Sequence, residues 1–182
     1  GLYLLDHCVI ASLKKPHPTL SNVSEQLQHF DTPDISFDIS YIYHIKYTLF
    51  TPHNSKKIYK QFRALLFNSN VDTIFNLLYE AGLLQQLIKP LKYILNLAQF
   101  DGYHKYPVDT HSLHSLYHLV HIQDPFIKSL FDDLCPEGKA LMRLVVFMHD
   151  MGKGRKKDHS EIGAKIFRVY ATKLGFSEEA IN

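Results

Sequence analysis

The chain has 182 residues, 46% of them apolar and 21% charged, with a formal net charge of +2. That is the make-up of one globular domain, or a domain plus an attached segment, with enough chain to bury a core. So small a net charge gives no ground for a nucleic-acid partner, and no apolar run is long enough to span a membrane, Arg143 interrupting the longest.

Leu2 to Ile10 reads as a short strand or the last piece of a hairpin. Lys14 to Pro18 is an exposed turn, after which Ser21 is placed to cap a helix carrying Val23, Leu27 and Phe30 on one face. Asp31 to Asp34, with Pro33, breaks that helix. Ile35 to Phe50 fits both a strand alternation and a helical face; its length favours helix, with Asp38 as cap. Lys56 to Asn68 is helical through Tyr59, Phe62, Leu65 and Leu66. Asp72 is expected to cap the next helix and Gly82 to end it. Leu83 to Ile88 and Leu91 to Ala98 read as two helical pieces separated by Pro90. After the polar, aromatic stretch Asp101 to Pro107, helix resumes near Val108 and runs to about Ile122. A short helix follows Asp124–Pro125 and ends in the turn Cys135–Pro136–Glu137–Gly138. The helix from Lys139 to Asp150 is the most apolar of the chain and is expected at its centre, and the last clear helix runs from His159 to Leu174. The fold class is all-α with at most a marginal strand or hairpin near the start. Two cysteines, Cys8 and Cys135, give neither a disulfide framework nor a zinc spacing, and no signal peptide is visible; a reducing, cytoplasmic setting is expected. The chain begins at Gly1 inside an apolar run and stops at Asn182 just after a helix start, which reads as a piece cut from something longer.

The chemistry converges on Val145 to Ala164, VVFMHDMGKGRKKDHSEIGA. An apolar run ends in His149–Asp150, Gly152 and Gly154 break the helix, and Lys153, Arg155, Lys156 and Lys157 crowd the break. A neutral imidazole and a carboxylate are good ligands for divalent metals, and a neighbouring lysine suits an anionic phosphate. The two side chains diverge by about 100° on a regular helix, which suits a carboxylate bridging two ions better than two ligands closing on one. Asp158 and Glu161 form a capping-box-like start that fixes His159 in the first turn, and Gly163 and Ala164 permit a close helix approach.

Twelve histidines are the compositional oddity. His111, His114, His118 and His121 fall within an arc of roughly 80° on one helix, but their stripe spans about 15 Å, whereas one metal reaches about 2 Å to each nitrogen. One or two at most can share an ion, and the others read as a wet polar face. His111, in the first turn, is the best candidate; His104 is a weaker one, and His7, His17, His29, His44 and His53 carry no functional assignment.

His111, then His149–Asp150 before MGKG, then DHSEIGA, resembles the HD-domain metal-dependent phosphohydrolases, with their signature His … His-Asp … Asp. Within that superfamily the stretches LLQQLIKPLKYILNLAQFDGYHKYPVDTHSL and HDMGKGRKKDHSEIGAKIF are similar to the central HD region of the bifunctional uridylyltransferase/uridylyl-removing enzymes of nitrogen regulation. The resemblance is strong over Ala81 to Gly175. It implies a helical connector over residues 1–98 and the N-terminal part of an HD helical bundle over 99–182. It further implies His111, His149 and Asp150 as metal ligands, and His159 at a ligand position of two-metal members. Lys153 would stand near the substrate phosphate as a catalytic group, together with Asp150. Implied cofactors are one or two Mn²⁺ or Mg²⁺ ions; the implied partner is a uridylylated PII signal protein and the product UMP, with neither nucleic acid nor membrane involved. The last Asp of the signature would lie beyond Asn182, and the paired carboxylates of a nucleotidyltransferase are missing. As cut, the chain is therefore expected neither to uridylylate nor to hold a complete metal site. Two rivals stay open: an HD phosphohydrolase for another nucleotide, such as an alarmone or cyclic phosphate, and a catalytically silent regulatory module.

Overall fold

A computed structural model describes residues 2–11, 18–32, 34–46, 48, 55–99, 105–155 and 158–181. The readings that rested on Lys14 to His17, Pro33, Tyr47, Phe50, His53, Asp101 to His104, Lys156 and Lys157 lie outside the described residues. The described chain is mostly helical, with a small sheet near its start, and divides into two compact units, 1–87 and 88–182.

In the first unit, β1 (Leu2–Leu5) and β2 (Cys8–Ala11) form an antiparallel hairpin with Leu5 opposite Cys8. Asp6 and His7 make its turn, both at positive φ, the conformation a two-residue hairpin demands. β3 (Ser36–Phe37) adds to β2 in parallel, so the ambiguous stretch after Ile35 is both things in succession: two residues of strand, then α2 (Ile39–Ile45). Asp38 separates them, its carboxylate accepting from Ser40 N at 2.8 Å. α1 (Leu20–Gln28) is capped by Thr19 rather than Ser21; Ser21 instead donates to Gln61 Oε1 on α3 (Ser55–Leu65). α4 (Val71–Glu80) begins at Asn70, not Asp72, which is buried in the first turn. Asn70 is spent elsewhere, its amide donating to Phe30 O and Thr32 O. α5 (Leu84–Leu87) closes the unit around Tyr41, Phe62 and Phe75, with the Phe62 and Phe75 rings stacked at 5.4 Å.

The second unit opens with a 3₁₀ turn, Lys89–Tyr93, where an α-helix from Leu91 to Ala98 was expected. Pro90 lies in its first turn, where a missing N–H costs nothing; the helix ends at Tyr93 with Ile94 as C-cap, and Asn96 follows at φ 53°. Then come α6 (Val108–Val120), α7 (Pro125–Asp132), α8 (Pro136–Met148), α9 (His159–Leu174) and α10 (Glu178–Ile181). The Cys135–Gly138 turn is in fact the start of α8: Cys135 is its N-cap, with Sγ accepting from Gly138 N, and Pro136 is its first residue. α8 is central, packed on α6 and α9, with Ala140, Leu144, Phe147 and Met148 buried. Asp158 caps α9, as the sequence indicates, and Gly175 ends it in the left-handed conformation.

Candidate metal centre

α8 ends at Met148, so His149 and Asp150 leave the helix into a tight turn in which Met151 N donates to Met148 O and Lys153 N to Asp150 O, each at 3.0 Å. Two glycines let the turn lie where it does. A Cβ on Gly152 would fall 1.8 Å from His159 O, because the start of α9 presses on the turn's backbone. Gly154 has φ +74°, and a Cβ there would come within 2.4 Å of Tyr93 O. Arg155 clamps the turn, donating to Met151 O and Lys153 O while its guanidinium lies 4.4 Å from the Tyr93 ring centroid. Gly163 completes the close approach: its missing Cβ would sit 3.6 Å from both Gly152 N and His149 O.

α6 meets this turn with its own first turn. Val108 N donates to Leu97 O, and the wholly buried Asp109 accepts from Asn96 N and Thr110 N at 2.8 Å each. A carboxylate at a helix N-terminus is favourably placed, and this one ties the preceding loop to the helix. One half-turn on, His111 projects toward α8. His111 Nε2 lies 3.9 Å and His149 Nε2 3.4 Å from Asp150 Oδ2, and the two imidazoles meet edge to face at 5.2 Å. Among the described residues, His111, His149 and Asp150 form a group whose ligand atoms all lie within 4.8 Å of one another. The 100° divergence of His149 and Asp150 does not keep them apart, because an imidazole reaches far enough from its backbone to turn Nε2 over the carboxylate.

Two features make the group suited to a cation, and a lysine already stands where one would bind. His149 Nδ1 stands 2.7 Å from Val146 O, which accepts its proton and leaves the Nε2 lone pair for a ligand. Asp150 is 7% exposed, and its Oδ2 is buried with no neutral hydrogen-bond donor on it among the described residues. The Lys153 ammonium, 2.8 Å from that oxygen, meets it as an ion pair and also donates to Gln99 Oε1 at 2.8 Å. A buried carboxylate needs a cation close by, and here a lysine supplies one. Two imidazole nitrogens and a carboxylate oxygen are a donor set for Mn²⁺, Zn²⁺ or Fe²⁺ and, through the carboxylate, for Mg²⁺.

His159 is exposed in the first turn of α9 and does not join the group; what it contributes is its backbone oxygen, packed against Gly152. His114, His118 and His121 are exposed, with rings on Tyr106 and Tyr117, as a polar helix face requires. Gln99 and Asp109 carried no role in the sequence reading. Asp109 had a signal, an acid in a helix first turn two residues before a ligand-type histidine; Gln99 lies within the stretch that carries the resemblance, but its residue type marks no role. Beside His149, a cleft of roughly 220 Å³ runs between α8 and α9, walled by Val145, Met148 and Phe167 over Gly163 and Ala164.

The site is therefore a His–His–Asp group with an adjacent lysine at the junction of three helices. The chain is similar to the bifunctional uridylyltransferase/uridylyl-removing enzyme of Bradyrhizobium sp. (strain ORS 278), at 34% identity over 122 residues, 64% of this chain and 13% of that protein. It is similar to the enzyme of the same name from Rhodopseudomonas palustris, at 30% over 138 residues, 71% of this chain and 15% of that protein. A third, from Gluconobacter oxydans (strain 621H), is 34% identical over 110 residues, 57% of this chain and 11% of that protein. The chain thus spans no more than 15% of the length of these relatives. No family profile and no solved structure matches it. Among the described residues, no helix is long and apolar enough to cross a membrane.

Proposed function

We propose that this chain is the metal-binding part of an HD-type phosphohydrolase that removes UMP from a uridylylated PII signal protein, within a longer bifunctional enzyme. The observation that carries the reading is the convergence of the ligand atoms of His111, His149 and Asp150, all within 4.8 Å of one another, on a buried carboxylate whose close partner among the described residues is the Lys153 ammonium. The names of the relatives support the substrate class. His111 Nε2, His149 Nε2 and Asp150 Oδ2 would hold a divalent ion, Mn²⁺ or Mg²⁺; when bound, such an ion supplies Lewis acidity toward a phosphoryl oxygen and acidifies water.

The chain's own residues do the rest. Val146 O accepts the His149 Nδ1 proton and so turns Nε2 toward the site. The Lys153 ammonium, 14% exposed, offers a fixed positive charge to the phosphoryl group as negative charge develops on it. Hydrolysis adds water across the phosphodiester: the bond from phosphorus to the tyrosine oxygen breaks, UMP takes the hydroxyl and tyrosine the proton. No covalent intermediate on the protein is required.

The test has two parts. Mn²⁺ binding to the 182-residue chain is measured by electron paramagnetic resonance, with His149→Ala and Asp150→Ala as controls. UMP release from uridylylated PII is then measured with a chimera in which this chain replaces the matching segment of the Bradyrhizobium enzyme. Metal-dependent release, lost in both variants, supports the reading. A folded chimera that binds Mn²⁺ without releasing UMP points to another nucleotide substrate. No Mn²⁺ binding by chain or chimera leaves a silent regulatory module.

A further inference from the structure

We infer that Gln99 is a positioning residue for Lys153, the anchor that retains its ammonium beside the site when a divalent cation takes Asp150 Oδ2. This role rests on the metal reading proposed above. The Lys153 ammonium touches two acceptors, Asp150 Oδ2 and Gln99 Oε1, each at 2.8 Å. The ammonium has only donors, so the amide must present its oxygen, and the orientation of Gln99 is fixed by chemistry. Asp150 Oδ2 is also the atom that both imidazoles face, at 3.9 Å from His111 and 3.4 Å from His149. An ion held by those three ligands and the ammonium therefore compete for one oxygen.

When the ion wins, the lysine loses its carboxylate. Its side chain is 14% exposed, so withdrawal into water is restricted, and a lost partner is costly for a half-buried charge. Among the described residues, Gln99 is the one uncharged side-chain acceptor in contact with Nζ. It keeps the ammonium at the rim of the site, where a phosphate would meet it, rather than letting it swing clear. The backbone that presents Gln99 is itself pinned: Leu97 O accepts from Val108 N, and Asn96 N donates to the buried Asp109. Loop, lysine and ligand carboxylate form one connected unit at the mouth of α6.

The anchor makes a prediction that a merely structural glutamine does not. Mn²⁺ affinity is measured by electron paramagnetic resonance on the chimera described above, with the wild-type residues and with Gln99→Leu, Lys153→Met, both together and Gln99→Glu. Lys153→Met removes the competing cation and tightens Mn²⁺ binding. Gln99→Leu makes the displaced ammonium pay more and weakens binding by roughly tenfold, the size of one hydrogen bond to a charged group. In the Lys153→Met background, Gln99→Leu has no further effect, and Gln99→Glu, which keeps an acceptor, does not weaken binding. An effect of Gln99→Leu that persists without the lysine, or no effect in the wild type, overturns the anchor while leaving the metal site standing. Absence of Mn²⁺ binding in the wild type and in Lys153→Met overturns the metal reading, and the anchor with it.

Discussion

The approach of α9 to the turn after His149–Asp150 can be tested by adding one methyl group. In Gly152→Ala the new Cβ would lie 1.8 Å from His159 O, 2.7 Å from Gly163 N and 2.8 Å from His159 C. Non-bonded carbon contacts settle near 3.5–4.0 Å, so the first turn of α9 must retreat by about 1.5 Å or more. The obstructing atoms are backbone on a helix, with no flexible end to swing aside. The cost is about 3 kcal/mol, the upper end for overpacking a tight interface. For a chain of this size that lowers the melting temperature by about 6–12 °C, read by circular dichroism at 222 nm. Gly138→Ala is the internal control. Its Cβ would meet Leu134 Cβ at 3.5 Å and Cys135 Sγ at 3.6 Å, ordinary contacts, inside the first turn of α8. There alanine gains about 0.5–1 kcal/mol from helix propensity, a shift of the opposite sign. If Gly152→Ala melts within 2 °C or so of the wild type while Gly138→Ala behaves as expected, α9 does not press on the turn and the placement of the site against it is wrong.

Phe147→Ala empties a wholly buried position in α8, immediately before the site, and is expected to cost about 3–5 kcal/mol in urea unfolding; a loss under about 1 kcal/mol would mean the helix is not central. Asp109→Ala leaves the Asn96 N–H without its acceptor and lowers stability by about 1–3 kcal/mol; an unchanged unfolding midpoint would show that the loop is not tied to α6 by this carboxylate. Asp158 accepts from the backbone N–H groups of Ser160 and Glu161, which hold its carboxyl below the ordinary value of 3.8. Since the folded state has the lower value, this cap's contribution is fully present above that value and disappears as pH falls through the depressed one. Asp158→Asn caps without titrating, so the melting-temperature difference between wild type and variant should change in the variant's favour as pH falls from 5 to 2.5 or so. A difference that stays constant across that range would remove Asp158 from the cap.

Several features were settled by local sequence. Helical periodicity and breakers located α6, α8 and α9, because an amphipathic stripe and a glycine or proline act over a few residues and need no distant partner. Asp38 and Asp158 were recognisable as caps for the same reason: the bond they make is to an amide two residues away. Where a side chain had competing long-range partners, local signals misled. Ser21 and Asp72 looked like caps, but Ser21 bonds across to Gln61 and Asp72 is buried, while Asn70 holds the Phe30–Thr32 loop. Pro136 resembled the end of a turn and is the first residue of a helix, a position a proline fits equally well.

For the site, sequence alone supplied the residue types, the histidines and the His–Asp pair, and the resemblance grouped them. Tertiary structure decided which of them meet. His111 and His149 are 38 positions apart, and only the packing of α6 on α8 brings their rings to 5.2 Å. His159, only ten positions from His149 and equally suitable chemically, is left outside because α9 presents its backbone to Gly152. Gln99 lies in the stretch that carries the resemblance, but a loop glutamine has no periodicity or ligand chemistry to single it out, and its meaning comes from the ammonium it holds. Ligand chemistry is a property of residue type, written in the sequence; ligand convergence depends on distances across helices, which the fold alone sets.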